Sequence, residues 1–385
     1  MAEPQPISLK IGIVLDDSLD KVDGVQQYVI AIGEWLRAQG HDVHYLVGST
    51  QRQDLPGIHS LSRNVAVRFN RNRMSMPLPT SRTKLRRFLA AEQFDVLHVQ
   101  LPYSPYMAHR LILNAGDRTA VVGTFHIIAH GAVVRAATRV LGSWTRQSLK
   151  RFDDIVSVSS AAAEFAKTTF GITTSVLPNT IGYQQFHIAQ PLPEYDDATP
   201  TILFLGRWVP RKGCQLLLEA VNTLVQQPDT PNFRVLICGK GPLGDKLKRY
   251  VRTHGLADWV TFVGFVSEAD KPRYYASADI AVFPSSGGES FGIVLLEAMA
   301  SGRAAVLAGD NSGYRSVMAP RPELLFDPHS SSELAEKLRL YLSNPSVRGE
   351  AQRWGMEYTE AFDTTTVGNR LIDIYHQALR KRRRA

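Results

Sequence analysis

Cysteine is scarce in this sequence, which has only Cys214 and Cys238 among its 385 residues. Two such cysteines provide neither a disulfide framework nor a paired metal-binding motif, so the sequence predicts a protein of a reducing, cytosolic compartment. Long apolar runs are missing too, since none approaches the roughly 20 residues that a membrane-spanning helix needs. The first residues, MAEPQPISLK, carry an acidic side chain and two prolines in place of a basic segment, so no secretory signal is expected.

Acidic residues are absent from one long stretch, between Asp54 and Glu92. The same stretch is rich in cations, namely Arg63, Arg68, Arg71, Arg73, Arg82, Lys84, Arg86 and Arg87. A second basic cluster, RKRRR at 380–384, closes a chain whose net charge is +8. Basic clusters of this kind are typical of proteins with anionic partners, such as nucleic acid, phosphorylated metabolites or an acidic membrane face. A plain solvated surface is the alternative interpretation.

Short apolar runs alternate with helical patterns along the whole chain, which has the length of two ordinary domains. Strands are predicted at 10–16, 41–47, 95–100, 120–126, 153–159, 174–179, 201–206, 233–239, 260–266, 279–284, 304–309 and 323–328, with helices such as 25–39 and 160–170 between them. Continuous apolar strands joined by helices predict parallel sheets covered on both faces.

The sequence therefore predicts the α/β class, with two doubly wound, Rossmann-like domains. A stretch rich in Pro and Asp at 188–200 predicts the linker, so the domains are placed at 1–190 and 191–366. A C-terminal helix at about 367–380 is expected to return to the first domain. Ligands are expected in a cleft at the carboxyl ends of the strands, where loops and helix N-termini meet.

The segment GGESFGIVLLEAMASG at 287–302 predicts an anion site. Ser290 is expected to cap a helix whose first turn presents backbone N–H groups toward the cleft, from Phe291, Gly292 and Ile293. A helix N-terminus with open donors favours a diphosphate or its departing charge. Gly292 is expected to leave room for the ligand to approach.

Two carboxylates bracket the apolar part of this segment. Glu289 stands at its start, and Glu297 lies about 9 Å further along the helix than Phe291 of the expected first turn, at 1.5 Å per residue. A helix that is apolar on nearly every side is buried, and a buried charge needs a partner. Burial is therefore expected for Glu297. Carboxylates at this spacing can accept hydrogen bonds from hydroxyl pairs, Glu289 from a sugar and Glu297 from a ribose, and the alternative is that both are solvent-facing helix charges.

Cations are predicted at the same place by GRWVPRKG (206–213), which follows a strand. It delivers Arg207 and Lys212, which can clamp a diphosphate and stabilise the charge of a leaving group. In the first domain, DGVQQYV (23–29) places Gly24 at a helix N-terminus, and GTFH (123–126) ends a strand with His126. Each of these residues is expected to face the cleft.

Two further patterns predict other chemistry. GESFG (288–292) matches the serine hydrolase elbow, with Ser290 as nucleophile and Asp310 and His329 as its remaining candidate partners. GKGPLG (239–244) matches the dinucleotide fingerprint of oxidoreductases, with Glu268 as the ribose partner. The strand does not run directly into GESFG, and Pro242 interrupts GKGPLG, so both interpretations are weaker than the diphosphate site.

Together, DGVQQYV, GTFH, FLGRWVPRKG, GKGP and ESFGIVLLEAMASG resemble the retaining, nucleotide-sugar-dependent glycosyltransferases of the family-four type, which have the GT-B fold. Glu289 and Glu297 match the family's E-x7-E motif. Within the family, GGESFGIVLLEAMA and the basic stretch before FDVLHV are similar to the phosphatidylinositol mannosyltransferases. Three of the departures from the family pattern are that Asp23 replaces a glycine, that PNTIG (178–182) replaces PNGVD, and that GRAAV (302–306) lacks a proline.

The resemblance implies a donor site. Arg207 and Lys212 would contact the diphosphate, Glu297 the ribose, and Glu289 with the amides of Phe291, Gly292 and Ile293 the transferred sugar. The backbone at Val266 would contact the base, Gly24 would approach the diphosphate, and His126 would touch the sugar beside the reacting carbon. The implied donor is GDP-mannose, and neither a cofactor nor a metal is required, because cations and a helix N-terminus take the metal's place.

The resemblance also implies an acceptor and a membrane surface. Asp17 stands near the position of an aromatic residue that packs on inositol in the mannosyltransferases, while Gln26 is retained. Arg71, Arg73 and a basic helix with Arg82, Lys84, Arg86 and Arg87 would dock on anionic lipid at the inner face of the cell membrane, and nucleic acid is not an expected partner. The alternatives are a related transferase with another sugar nucleotide and a soluble glycan or other lipid, a sugar-nucleotide epimerase, the hydrolase and the oxidoreductase.

Overall fold

The computed structural model of the protein describes residues 8–20, 24–69, 72–78, 80–126 and 144–384, with the side chains of 66–76 outside the description. Asp23 and Arg71 therefore lie outside the described residues, and Arg73 is described by its backbone alone. Contacts divide the chain into two units, one of 1–180 with 364–385 and one of 181–363.

Parallel strands form the centre of each unit. Their bounds, with those of one hairpin, are β1 Lys10–Leu15, β2 Asp42–Val47, β3 Ile58–Ser60, β4 Asn64–Phe69, β5 Asn72–Pro77, β6 Val96–Gln100, β7 Ala120–Phe125, β8 Asp154–Ser157, β9 Ser175–Val176, β10 Thr201–Leu205, β11 Arg234–Cys238, β12 Val260–Gly264, β13 Ile280–Phe283, β14 Ala305–Gly309 and β15 Leu325–Phe326. The first sheet has the order β3-β2-β1-β6-β7-β8-β9 and the second β12-β11-β10-β13-β14-β15. The predicted α/β class with two doubly wound sheets is confirmed.

Helices cover these sheets. They are α1 Gly24–Ala38, α2 Arg82–Glu92, α3 Met107–Leu113, α4 Ser160–Phe170, α5 Tyr183–His187, α6 Cys214–Val225, α7 Gly244–Thr253, α8 Lys271–Ala276, α9 Ile293–Ala300, α10 Ser312–Met318, α11 Ser331–Ser343, α12 Pro345–Thr359 and α13 Thr364–Arg384. Local capping explains some of the bounds: the Ser159 side chain accepts a hydrogen bond from the Ala162 amide at the start of α4, and Gly171 ends it at φ 70°.

The C-terminal helix α13 belongs to the first unit. Gly368 lets it approach Trp35 of α1 closely, because any β-carbon at this position would collide with the indole ring. Leu371 and Tyr375 are completely buried, and the Tyr375 hydroxyl hydrogen-bonds His98 Nδ1 of β6 at 2.8 Å. The basic end of the helix is anchored as well, since Lys381 Nζ lies 3.0 Å from Asp154 Oδ2.

The units differ from the predicted domains in their bounds. The chain passes from the first unit to the second at 180/181, ten residues before the predicted boundary at 190. It passes back to the first unit at 363/364. The stretch 188–200 is therefore part of the second unit, although its composition is typical of a linker. Its backbone has specific partners there, as the Leu192 amide donates to Ser277 Oγ at 2.8 Å.

Candidate functional site

The loop between β13 and α9 carries the motif with two carboxylates. The helix begins at Ile293, and its N-cap is Gly292, which offers no side chain. The prediction that Ser290 caps this helix is therefore wrong, because Ser290 lies two residues before the cap. Gly292 has φ 120°, and a β-carbon there would lie 2.8 Å from Tyr314 Cδ1. Packing against Tyr314 and the backbone conformation thus require this glycine.

Glu289 lies at the centre of a cationic cluster. Its Oε1 is 2.9 Å from Lys212 Nζ and 2.7 Å from Arg211 Nη1, and Ser285 Oγ donates to the same oxygen at 2.9 Å. Burial alone would raise the pKa of the Glu289 carboxyl, but Lys212, Arg211 and Ser285 outweigh burial and lower it. The cluster therefore holds an ionised carboxylate beside two cations.

Arg211 is the cation that sequence reasoning missed. Pro210–Lys212 form a turn of 3₁₀ helix after β10, and this turn directs Arg211 and Lys212 to Glu289. Arg207, which the sequence analysis paired with Lys212, is exposed. The only sequence signal for Arg211 was its position beside Lys212. The direction of the turn decides which of the cations in this segment reach the carboxylate, and the sequence does not give that direction.

Glu297 lies on α9 and is only 4% exposed. Its Oε1 is 3.0 Å from Lys271 Nζ, and its Oε2 accepts a hydrogen bond from the Tyr275 hydroxyl at 3.3 Å. Lys271 also lies 2.6 Å from Glu268 Oε2. The expected burial of Glu297 is confirmed, whereas its partners Lys271 and Tyr275 were missed because they come from α8.

Two other residues predicted to contact the donor, Val266 and Phe291, lie in loops of the second unit. Val266 is half-buried just after β12. Phe291 is buried, and its ring centroid is 6.0 Å from that of Phe362. Phe291 therefore anchors the loop before α9, so only its backbone remains a candidate for ligand contact.

His126 lies in a buried polar cluster of the first unit. Its Nε2 and Gln100 Oε1 are 2.6 Å apart, and its ring centroid is 4.9 Å from that of Tyr28. Burial lowers the pKa of His126 to about 3, with His98 acting in the same direction and a hydrogen bond with Asn179 opposing it. A histidine in this position acts as a neutral hydrogen-bonding group.

Asp17 and Gln26, both predicted for the acceptor, are brought together after β1. Gln26 Nε2 donates to Asp17 Oδ2 at 3.2 Å. Gly24 is the first residue of α1, so it lies next to this pair. The neighbouring Asp16 was missed: its Oδ1 accepts from the Ala108 amide at 2.9 Å, and burial raises its pKa to about 6.

Two family models match consecutive parts of this chain. One, Glycosyltransferase Family 4, covers residues 22–184, and the other, Glycosyl transferases group 1, covers 190–359. The phosphatidyl-myo-inositol mannosyltransferase of Mycobacterium tuberculosis H37Rv is 31% identical over 95% of this chain and 96% of its own length. The chain belongs to the GT-B glycosyltransferases of the family-four type.

A further relative agrees with this assignment, and a solved structure agrees with the fold. A GDP-mannose-dependent monoacylated alpha-(1-6)-phosphatidylinositol monomannoside mannosyltransferase of Corynebacterium glutamicum is 27% identical over 95% of this glycosyltransferase and 98% of its own chain. The crystal structure of a glycosyltransferase from Rickettsia africae has a TM-score of 0.73 at 17% identity, over 97% of this chain and 99% of that one. At this identity the structural match supports the GT-B fold alone.

The motifs that suggested other enzymes have structural explanations in the glycosyltransferase. Asp310, the hydrolase candidate, is paired with Arg315, whose Nη2 lies 2.8 Å from its Oδ2. In GKGPLG, a β-carbon on Gly239 would collide with the Gly206 carbonyl oxygen, and one on Gly241 with the Trp208 backbone. These glycines therefore allow two loops to pack together. This packing explains the glycine spacing of GKGPLG without a bound dinucleotide.

We expect Ser290→Ala to leave most of the glycosyltransferase activity, within about twofold, because the hydroxyl is not the helix cap and glycosyl transfer to an acceptor hydroxyl is not expected to use a serine nucleophile. Initial rates of sugar transfer by the variant and the wild type provide the measurement. Loss of nearly all activity in a variant with an unchanged melting temperature would contradict this role and restore the nucleophile hypothesis.

The last part of the basic stretch forms α2, whose two faces differ. Leu85 and Leu89 are buried in the core of the first unit, while the predicted lipid-binding cations are all exposed, namely Arg82, Lys84, Arg86 and Arg87. The apolar face of α2 therefore packs inside the protein, and its exposed face carries the cations. Across the described ranges, no helix is long and apolar enough to cross a membrane.

No group of three or more His, Cys, Asp or Glu side chains that could hold a metal occurs in the part of the chain that the structure describes.

Acid should destabilise the glycosyltransferase through its buried histidines. Burial lowers the pKa of both His98 and His126 to about 3, below the value of about 6.5 in an unfolded chain. The unfolded state therefore binds more protons in this range, so stability falls as the pH drops from about 6.5, by up to about 1.4 kcal/mol per pH unit and histidine. Melting temperatures measured between pH 7.5 and 5.5 should decline accordingly.

The double variant His98→Gln/His126→Gln should lose less of its melting temperature over the same pH range, even if it is less stable at pH 7.5. Exposed His254 supplies the control, because His254→Gln should follow the wild-type profile. Identical acid sensitivity of the double variant and the wild type would rule out these two side chains as the cause.

Proposed function

We propose that this glycosyltransferase transfers mannose from GDP-mannose to a phosphatidylinositol-type lipid, with retention of configuration, at the inner face of the cell membrane. The names of the two curated relatives support this donor and acceptor, since both are mannosyltransferases of phosphatidylinositol or its mannoside and one is GDP-mannose-dependent. The observation that carries the proposal is the convergence of Lys212 and Arg211 on Glu289 before α9.

In the proposed donor site, Lys212, Arg211 and Arg207 bind the diphosphate. The first turn of α9, from Ile293 onward, adds backbone donors and the positive end of the helix dipole. A diphosphate competes with Glu289 for the two cations that this carboxylate now contacts. Glu289 then accepts hydrogen bonds from hydroxyls of the transferred sugar, while Glu297 accepts those of the ribose and the backbone at Val266 contacts the base.

The proposed reaction depends on stabilisation of the leaving diphosphate and uses no nucleophilic side chain. In the proposed front-face transfer, the bond between the anomeric carbon and the diphosphate oxygen breaks, and the acceptor hydroxyl oxygen bonds to that carbon on the same face. The hydroxyl proton passes to the departing diphosphate. Lys212 and Arg211 stabilise the charge that develops there, so the proposed reaction requires no metal.

The proposed acceptor site uses Asp17 and Gln26, which hydrogen-bond each other after β1 and offer carboxylate and amide oxygens as acceptors for inositol hydroxyls. Arg71 and Arg73 are assigned to lipid binding by the sequence alone, because Arg71 and the side chain of Arg73 lie outside the described residues. The cations of α2 hold the enzyme to anionic lipid, and the buried positions of Leu85 and Leu89 support attachment by charge. Nucleic acid is not a partner in this proposal.

A transfer assay tests the proposal directly. Purified enzyme is mixed with GDP-mannose, GDP-glucose, UDP-glucose or UDP-galactose and with vesicles that contain phosphatidylinositol, phosphatidylglycerol or neither. Transfer from GDP-mannose to phosphatidylinositol should be fastest and should persist in EDTA. Transfer only from a uridine nucleotide, or only to a soluble acceptor such as glycerophosphoinositol, would replace the proposed donor or acceptor by the alternative.

A further inference from the structure

Lys271 forms an ion-pair bridge inside the second unit, and its residue is only 6% exposed. Its Nζ lies 3.0 Å from Glu297 Oε1 on α9 and 2.6 Å from Glu268 Oε2 in the turn before α8. Desolvation alone lowers the pKa of Lys271, but the two carboxylates outweigh it and raise the pKa. The lysine is therefore a fixed cation between α9 and the loop that follows β12.

The bridge leaves Glu297 with free capacity for a diol. An ionised carboxylate has about four acceptor positions, two on each oxygen. Lys271 uses one position on Oε1, and the Tyr275 hydroxyl uses one on Oε2. Among the described residues, one position then remains on each oxygen, so each oxygen can accept from one of two neighbouring hydroxyls.

We infer that Lys271 is a positioning residue that makes the enzyme selective for ribonucleotide donors, by holding Glu297 charged and oriented toward the ribose 2′- and 3′-hydroxyls. The inference rests on the proposed role of Glu297 in the donor site. Lys271 itself touches the carboxylate rather than the nucleotide. Through Glu268 it also ties this carboxylate to the segment around Val266, which is proposed to contact the base.

Lys271 should strengthen the binding of the ribose because the Glu297 carboxylate is buried. A carboxylate that is almost completely covered is poorly solvated, and removing its cation leaves an uncompensated charge that favours protonation or rotation of the side chain. Either change weakens the hydrogen bonds to the ribose. Hydrogen bonds to a charged group are stronger than neutral ones, so selectivity for the 2′-hydroxyl should depend on Lys271.

Calorimetric titration with GDP and 2′-deoxy-GDP, and with UDP and 2′-deoxy-UDP, tests the inference. Wild-type enzyme should bind its preferred ribonucleotide roughly tenfold or more tightly than the deoxy form. In Lys271→Met the preference should fall below about threefold, mainly through weaker binding of the ribonucleotide. Lys271→Arg should recover most of the preference, because the guanidinium restores the charge.

Lys248→Met serves as the matched control, since it removes one exposed lysine from α7 of the same unit, and should bind as the wild type does. If Lys271→Met does not fold, Lys271→Gln carries the test, because the amide keeps the polar volume without the charge, and its preference should also fall. A folded variant without the charge that keeps the full preference would overturn the role of Lys271 alone. Equal binding of ribo and deoxy forms by the wild type, or no binding of either nucleotide, would overturn the ribose role of Glu297 as well.

Discussion

Lys212→Met should lower the rate of sugar transfer by roughly 10²–10³-fold, the loss typical of removing one stabilising group at a developing negative charge. Lys212 Nζ lies 2.9 Å from Glu289 Oε1, and the side chain is 17% exposed. The ammonium group is thus held close to the proposed diphosphate site before the donor binds, and only its contact with Glu289 has to give way to the diphosphate. Steady-state rates with the preferred sugar nucleotide provide the measurement.

The loss should fall mainly on kcat, because the charge of the leaving group grows in the transition state. Lys246→Met, which removes an exposed lysine from α7, should keep wild-type rates and controls for the change in net charge. If Lys212→Met retains more than about a third of the activity with an unchanged melting temperature, the proposed diphosphate site is in the wrong place.

Neutralising Arg82, Lys84, Arg86 and Arg87 together should nearly abolish flotation of the enzyme with anionic vesicles. Each basic side chain near such a surface contributes about 1 kcal/mol, so four correspond to roughly 10³-fold in partitioning. The four residues are exposed, while the leucines of α2 are buried, and the attachment should accordingly weaken with salt. Flotation with vesicles of phosphatidylinositol and phosphatidylcholine measures the effect.

Helix α7 provides a matched control for this experiment. It also carries four exposed cations, Lys246, Lys248, Arg249 and Arg252. Neutralising these should leave flotation nearly unchanged. If flotation instead survives the changes in α2 and fails after those in α7, the second unit binds the lipid and the role proposed for α2 is refuted.

Local sequence was sufficient for the class of fold and for most of the parallel strands. The prediction of helix 160–170 matches Ser160–Phe170 because its cap and its terminal glycine are local signals. The apolar runs at 10–16 and 279–284 contain β1 and β13. The hairpin β4–β5 was not predicted. It lies in the basic stretch, for which only the charge, and not the strand pattern, was interpreted.

The sequence by itself determined that this chain is a two-sheet glycosyltransferase with carboxylates and cations around the N-terminus of α9, because periodicity and motif spacing are properties of neighbouring residues. Only the tertiary structure decided the partners. Arg211 contacts Glu289 from 78 residues away, and Lys271 contacts Glu297 from 26 residues away. Which of several cations reaches a buried carboxylate depends on the order of the strands and the direction of each turn, and neither can be read from the spacing of the residues.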